Sequence, residues 1–304
     1  MRRLFFPILF IMQICISCAD SADYFPVDWD EASASVKVMK DDVMKDERIP
    51  VKLMSFNVRY ATGDKGTPNA WDLRKEDLFL MIDTEKPLVI GTQECQMSQK
   101  RDMEESCPEY GAIGVGRNDG EDSGETCSIF YHKASCSIED WGSFWLSETP
   151  DVPGKKGWDA ATVRVATWAR VKVTASGKEF FFINTHLDHK GRIARAEGMN
   201  LIMSKFRELN KDNLPQLLTA DFNTSQDDDI FRECLLTMKN ARLTAPETDN
   251  KNTYNGYGDG SSIIDHIFLS GFDILKYKTV NQAWDDTEYI SDHYPVYALV
   301  KFSY

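Results

Sequence analysis

Six short segments each set polar or ionisable side chains at the end of an apolar run. They are Ser55-Phe56-Asn57-Val58-Arg59, Thr92-Gln93-Glu94, Asn184-Thr185-His186-Leu187-Asp188, Ala220-Asp221-Phe222-Asn223, Ile264-Asp265-His266 and Ser291-Asp292-His293-Tyr294-Pro295. Strand ends are where a rigid scaffold presents reactive groups. Taken singly, a carboxylate after a strand reads as a turn or cap residue, and a lone histidine as a structural side chain. As a set they are oxygen-rich, with Glu94, Asp221, Asp265 and Asp292 beside the amides Asn57 and Asn223. That inventory suits Mg²⁺ (or Mn²⁺), hard ions that prefer carboxylate, carbonyl and water, rather than zinc held by Cys and His. The chemistry implied is activation of an anionic ester: cation and imidazolium stabilise charge on phosphate oxygens while a carboxylate orients water.

Positioning these groups requires several strands and a few helices. Val51–Val58 alternates as a strand, and Trp71–Asp83 carries helical spacing through Leu73, Leu78, Phe79 and Ile82. Pro87–Thr92 reads as a strand and Gln96–Ser106 as a helix; strands follow at Ser128–Tyr131, Ser137–Leu146, Val163–Val173 and Glu179–Asn184. Ile193–Leu209 is expected to be a helix, Gln216–Ala220 a strand, and Asp228–Met238 a helix started by the acidic 227–229 cluster. Ile263–Leu269, Ile274–Val280 and Val296–Phe302 close the domain as strands. Helices at both ends with a β-meander between them point to two mixed β-sheets packed face to face with helices outside.

With 304 residues, 42% of them hydrophobic, the chain can bury a large core, which excludes disorder of the whole chain. No Pro/Ser/Gly-rich linker interrupts it beyond residue 50, so one domain over 49–304 is expected. Residues 1–18 read as an export signal: Arg2 and Arg3, an apolar run from Leu4 to Ile16, then Ser17 before Cys18. The run is shorter than the ~18 residues that span a bilayer and contains Pro7 and Gln13. Ser17-Cys18 is similar to a bacterial lipobox, although Cys15 stands where leucine is usual; cleavage after Ala19 is the alternative. Residues 19–48, polar and without an apolar stripe, read as a tether. Export to the periplasm, outer membrane or cell surface follows, with membrane contact only through a lipid anchor. Cys95, Cys107, Cys127, Cys136 and Cys234 are odd in number and widely spaced, which suits small buried hydrophobes better than a disulfide framework. The net charge of −13 argues against gripping nucleic acid by charge alone.

All six segments, in order from Val51 to Phe302, resemble the endonuclease/exonuclease/phosphatase superfamily, which includes pancreatic-type DNases, abasic-site endonucleases, inositol-polyphosphate 5-phosphatases, neutral sphingomyelinases and deadenylases. The resemblance implies a four-layer α/β sandwich of the DNase I type. It implies Glu94 as principal metal ligand with Asn57 as neighbour, and Asp292 as a further metal-side ligand. Asp221 would orient or deprotonate the attacking water, and Asn223 would contact the phosphate or a second metal. His293, held by Asp265, would bind a phosphate oxygen, and His186 would stabilise the pentacovalent phosphate. The Asn184 to Asp188 segment followed by Arg195 is more similar to the deadenylase and sphingomyelinase branches than to abasic-site endonucleases, where tyrosine replaces His186.

Outside these motifs, Arg164, Arg192 and Arg195 are candidates to clamp substrate phosphate, with solvated charge as the alternative. Trp145 and Trp158 could stack on a ring or pack in the core, and His132, His189 and His266 have no assigned role. The expected partner is a phosphate ester: a short oligonucleotide, a phosphorylated metabolite or a lipid headgroup, met by a monomer. The rival reading is a non-catalytic surface receptor for a ligand or glycan that keeps the fold. If Cys18 carries lipid, Cys18→Ala moves the protein from the membrane to the soluble exported fraction; an unchanged distribution on fractionation removes the anchor.

Overall fold

The computed structural model describes residues 49–285 and 287–303, so the leader, Cys18 and the tether lie outside the described residues. Two six-stranded sheets form the centre. In the first, β1 (Val51–Asn57) lies between β2 (Val89–Gln93), parallel to it, and β14 (Val296–Phe302), antiparallel. β13 (Phe272–Thr279) completes one edge, and β6 (Ile129–His132) and β4 (Tyr110–Ile113) the other. In the second, β9 (Glu179–His186) and β10 (Gln216–Asp221) run parallel, flanked by β8 (Val165–Val173) and β7 (Cys136–Trp145) on one side. β12 (Asp265–Ser270) and the short β11 (Lys239–Asn240) lie on the other. A small ribbon pairs β3 (Cys95–Gln96) with β5 (Glu125–Thr126).

Strand alternation sorts the side chains into layers. Leu53, Val89, Phe180, Phe182, Leu217, Ile267, Ala298 and Val300 meet between the sheets. Their neighbours Met54, Phe56, Ile90 and Tyr297 face outward onto α1 (Trp71–Glu85) and α2 (Met97–Ser106) through Leu78, Ile82 and Met103. Phe181, Ile183, Leu218 and Phe268 face the other way, onto Met199, Ile202 and Phe206 of α3 (Arg192–Leu209). The result is the expected four-layer α/β sandwich.

The expected helix over Asp228–Met238 is instead two 3-10 turns, Asp229–Phe231 and Cys234–Leu236. Asp228 is tied up by Thr224 Oγ1 (2.6 Å) and caps only the first turn through Ile230 N. Phe231, Cys234 and Met238 still bury their side chains, so the apolar spacing is satisfied without a continuous helix. The five cysteines are free and buried.

Toward one end of the sandwich the inter-sheet layer turns polar. Gln93 Nε2 donates to Asn184 Oδ1 (2.7 Å) across the gap, Thr219 Oγ1 donates to the same oxygen (2.9 Å), and Asn184 Nδ2 returns bonds to Thr92 O (2.8 Å) and Ser128 O (3.0 Å). All four hydrogen-bonding capacities of this fully buried amide are used. The two sheets approach so closely here that a Cβ on Gly91 would lie 2.2 Å from Thr219 Oγ1 and 2.5 Å from Asn184 Oδ1. Gly91→Ala is therefore expected to cost about 3 kcal/mol through overpacking and a broken polar network, read as a lower urea midpoint. A midpoint within error of the parent would show that the bridge does not set the sheet spacing.

Candidate active site

Sheet register brings the catalytic candidates together. Asp221 ends β10 and is the direct partner of His186 on one side and of Asp265 on the other. On the facing sheet Asn57 pairs with Gln93, and Glu94 follows. His293 arrives from the loop before β14. Its Nδ1 lies 2.9 Å from Asp265 Oδ2 and its Nε2 lies 3.6 Å from Asp221 Oδ2. Glu94, His186, Asp221 and His293 line the floor of a cleft of about 630 Å³, with Arg59, Arg117, Arg164, His189, Tyr254 and Asp292 on its walls.

Several of these positions are held in strain. Arg59, Glu94 and Asn223 all have positive φ (55°, 57° and 52°), which is costly for a side chain other than glycine, less so for asparagine. The cost is offset by local bonds. Glu94 accepts from Asn57 Nδ2 (3.2 Å) and Tyr60 N (3.3 Å), and Asn223 N donates to Asp221 Oδ1 (2.9 Å). Ser291 Oγ donates to Asn57 O (2.7 Å), fixing the histidine loop to the end of β1.

Burial would lower the His293 pKa, but the carboxylates of Asp265 and then Asp221 overcome it and hold the imidazole well above its ordinary value, so it is cationic near pH 7. Burial drives the Asp221 carboxyl upward, against the pull of His293. Lowering it, as a nearby divalent ion would, therefore requires a charge the protein itself does not supply. His186 is pushed well below its ordinary value by burial and then by the Arg164 charge, and is neutral.

The fit for a hard cation can be tested on the donors. Glu94, His186 and Asp221 each bring one ligand atom to within 4.8 Å of the others. Asn223 Nδ2 contacts both His186 Nε2 (2.9 Å) and Leu187 O (3.0 Å), and Nε2 lies 3.3 Å from Asp221 Oδ2. The two carboxylates of this group, Glu94 and Asp221, are the oxygen donors that a hard cation takes. A second group, Asp221, Asp265 and His293, meets the same distance limit, but a cationic His293 offers no lone pair.

The structure revises part of the expected site. Asn57 accepts from Arg59 N at Oδ1 (3.0 Å) and donates from Nδ2 to Glu94 (3.2 Å) and Asp221 (3.0 Å), which places it between the two carboxylates. Asp292 lies beside Arg59 (3.5 Å) and lines the cleft outside both candidate ligand groups. Arg164 lines the cleft, whereas Arg192 and Arg195 sit on α3 away from its lining; Arg192 is exposed and Arg195 donates to Asp188 O (2.9 Å). They follow the histidine segment in sequence, but both stand in the first turn of α3, outside the cleft lining. Trp145 is buried, with its Nε1 on Arg117 O (2.6 Å), and Trp158 packs against the α3 layer.

Two contributors, Arg74 and Gln99, escaped the sequence reading, and a third, Asp188, stood in a singled-out segment without a role of its own. Arg74, only 1% exposed, donates from Nη1 to Val58 O and Ile290 O (both 2.8 Å) and from Nη2 to Arg59 O (2.8 Å), tying α1 to both site loops. Gln99 accepts from Ala61 N (2.9 Å) and donates to Arg59 O (2.8 Å). Asp188 accepts backbone amides from Gly191 (2.7 Å), Ala161, Lys190 and Thr162. The contacts of Arg74 and Gln99 with the site loops had no local signal beyond polarity, because those partners are distant in sequence; Asp188 is partly local, bonding Lys190 and Gly191 two and three residues on.

The sequence matches the endonuclease/exonuclease/phosphatase family over residues 54–293. The chain belongs to this family. Among solved structures, a Bacteroides thetaiotaomicron mannosyl-6-phosphatase is 36% identical with a TM-score of 0.78, covering 83% of this chain and 100% of its own. A Bacteroides vulgatus family member is 33% identical with a TM-score of 0.79, covering 84% and 100% respectively. The human Nocturnin catalytic domain, at 16% identity and a TM-score of 0.65 over 84% of this chain and 94% of its own, shares the fold. No curated protein matches the sequence. Family membership and these neighbours support phosphoesterase activity.

Asp188 yields a prediction about stability. Burial pushes its carboxyl up, but the amides of Gly191, Ala161, Lys190 and Thr162 outweigh burial and hold it at about 2. A depressed folded-state pKa stabilises above the unfolded value of about 4, and the contribution is lost as pH falls toward 2. Asp188→Asn is expected to lose about 2 kcal/mol at pH 7, with the gap from the parent closing near pH 2 in urea unfolding. A gap constant with pH would mean that the charge is not what holds this loop.

Proposed function

We propose that this family member is a divalent-cation-dependent hydrolase of compact phosphate esters, with Mg²⁺ (or Mn²⁺) as the cofactor. The observation that carries the reading is the convergence of Glu94, Asp221 and a cationic His293 on one cleft walled by arginines, with Asp221 shared by two clusters of possible ligand atoms. A binding-only receptor has no need of a strained Glu94 or of a histidine held cationic between two carboxylates. A hard cation, bound by Glu94 and Asp221, would offset the charge that gathers on the phosphate oxygens. The chain's own groups do the rest. Asp221 Oδ2 holds the attacking water and accepts its hydrogen bond. The N–H of His293 Nε2 binds a phosphate oxygen, and Asp265 keeps that ring oriented and charged. Asn57 and Asn223 fix the carboxylates and His186 in place. Water adds to phosphorus, the bond to the ester oxygen breaks, and the alcohol leaves with a proton.

A cleft of about 630 Å³ is the size of a small-molecule site, and the acidic chain offers no extended basic track for a duplex. Together with the named sugar-phosphatase neighbour, this favours a phosphorylated metabolite over an oligonucleotide or a lipid headgroup. Export as a lipid-anchored protein fits the same reading, since an enzyme outside the cytoplasm meets phosphorylated nutrients and surface polymers.

With p-nitrophenyl phosphate, bis-p-nitrophenyl phosphate and a hexose 6-phosphate as substrates, EDTA is expected to abolish turnover and Mg²⁺ or Mn²⁺ to restore it. Asp221→Asn and His293→Ala should each lower kcat by roughly two to four orders of magnitude with unfolding midpoints near the parent's. Parent-level turnover in either variant, or activity indifferent to EDTA, would defeat the proposal.

A further inference from the structure

One wall of the cleft carries two guanidinium groups that the hydrolytic groups described above do not use. Arg164, at the mouth of β8, is 5% exposed. Its Nη2 touches His189 Nδ1 (3.2 Å) and its Nε stands 3.6 Å from Asp188 Oδ2, too far for a hydrogen bond, so Nε is buried with no acceptor among the described residues. Arg117 comes from the loop after β4. Its Nη1 is bonded to Glu125 Oε2 (2.5 Å), and its Nε is likewise buried without an acceptor. Both line the cleft beside His186, and a second small void is bounded by Arg117, Glu125, Arg164, His186 and Glu94.

A buried and a half-buried cation side by side repel each other, and buried N–H donors left without acceptors, as at Nε of both, are expensive; the pair makes physical sense when an anion with several oxygens completes it. Chemistry decides which anion. A phosphate diester carries one negative charge, whereas a monoester carries about −1.5 to −2 at pH 7 and presents three equivalent oxygens. The cleft is also lined by Glu94, Asp221 and Asp292, which repel a dianion more than a monoanion. A site for monoesters therefore needs extra positive charge close to the reacting phosphate, and a diester's second substituent would have to occupy the space in front of these arginines.

We infer that Arg117 and Arg164 form a subsite for the terminal oxygens of a phosphomonoester dianion, making the enzyme a monoesterase, with Glu125 tempering the charge of Arg117. This rests on the phosphohydrolase reading and adds the class of ester. Glu125 gives the arrangement a readout of opposite sign. Neutralising Arg117 weakens the subsite, whereas neutralising Glu125 frees Arg117 and strengthens it.

The test uses the metal-loaded protein and two readouts: inorganic phosphate binding by calorimetry, and the ratio of kcat/KM for p-nitrophenyl phosphate to that for bis-p-nitrophenyl phosphate. Arg117→Gln is expected to weaken phosphate binding and to lower the monoester-to-diester ratio, each by at least about tenfold, while Glu125→Gln moves both the other way. Because Arg164 is buried, it is probed by Arg164→Lys, which keeps the charge but loses the planar fork and should also lower the ratio. Should Arg117→Gln fold poorly, the double variant Arg117→Gln/Glu125→Gln, which removes the ion pair without changing net charge, should still lower the ratio below the parent's. Hydrolysis of both esters with a ratio indifferent to Arg117 and Glu125, or a parent that prefers the diester, overturns the inference and leaves the hydrolase reading standing. Hydrolysis of neither ester defeats the hydrolase reading itself.

Discussion

Everything at the active end of this protein depends on two carboxylates that sheet register forces to face each other. Asp221 and Asp265 are direct partners across an antiparallel pair, an arrangement that like charges disfavour. His293 resolves it by lying between them, bonded to Asp265 and within reach of Asp221. The register is not free to slip, because a shift by one residue would turn Leu217, Leu269 and Ile267 out of the inter-sheet core. Hydrophobic burial thus supplies the force that keeps two acids together, and the acids in turn keep a histidine charged in a buried place.

The same economy governs the approach of the two sheets. Between the apolar core and the reactive groups lies the polar bridge around Asn184, whose four bonds span both sheets and whose closeness leaves room only for glycine at position 91. The bridge sets the distance between Asn57 and Glu94 on one sheet and Asp221 and His186 on the other. A looser core would still fold, but the Asn57 bonds to both carboxylates would not survive an error of 1 Å. Arg74 and Gln99 extend this precision outward by capturing the carbonyls of the loops that carry Arg59 and the 290–292 turn.

Within the cleft, charge is divided by position. Acids converge on the floor, where a cation would gather them, and arginines stand on the walls. That division lets a chain of net charge −13 carry a local concentration of positive charge: Arg164 is buried, where its charge counts for more, and Arg117 is half-buried beside the same cleft.

The strand and helix periods and the six polar strand ends were legible in the sequence, because alternation and apolar spacing are local and the reactive residues lie within a few positions of an apolar run. So was the identity of the groups that meet: Glu94, His186, Asp221, Asp265 and His293 all face one cleft or one another. What the sequence could not decide was direction and partnership. Arg192 and Arg195 sit nearer to His186 along the chain than Arg117 does, yet they stand in the first turn of a helix outside the cleft lining while a loop from a different strand brings Arg117 in. The amide of Asn57 is oriented by a backbone N–H two residues on, which donates to its oxygen and turns its nitrogen toward the carboxylates. Segment 228–238 had helical spacing, but it buries Phe231, Cys234 and Met238 as two separate 3-10 turns. Composition and spacing fix which side chains a strand end offers; only the packing of two sheets at one distance decides which of them touch, in which orientation and with what charge.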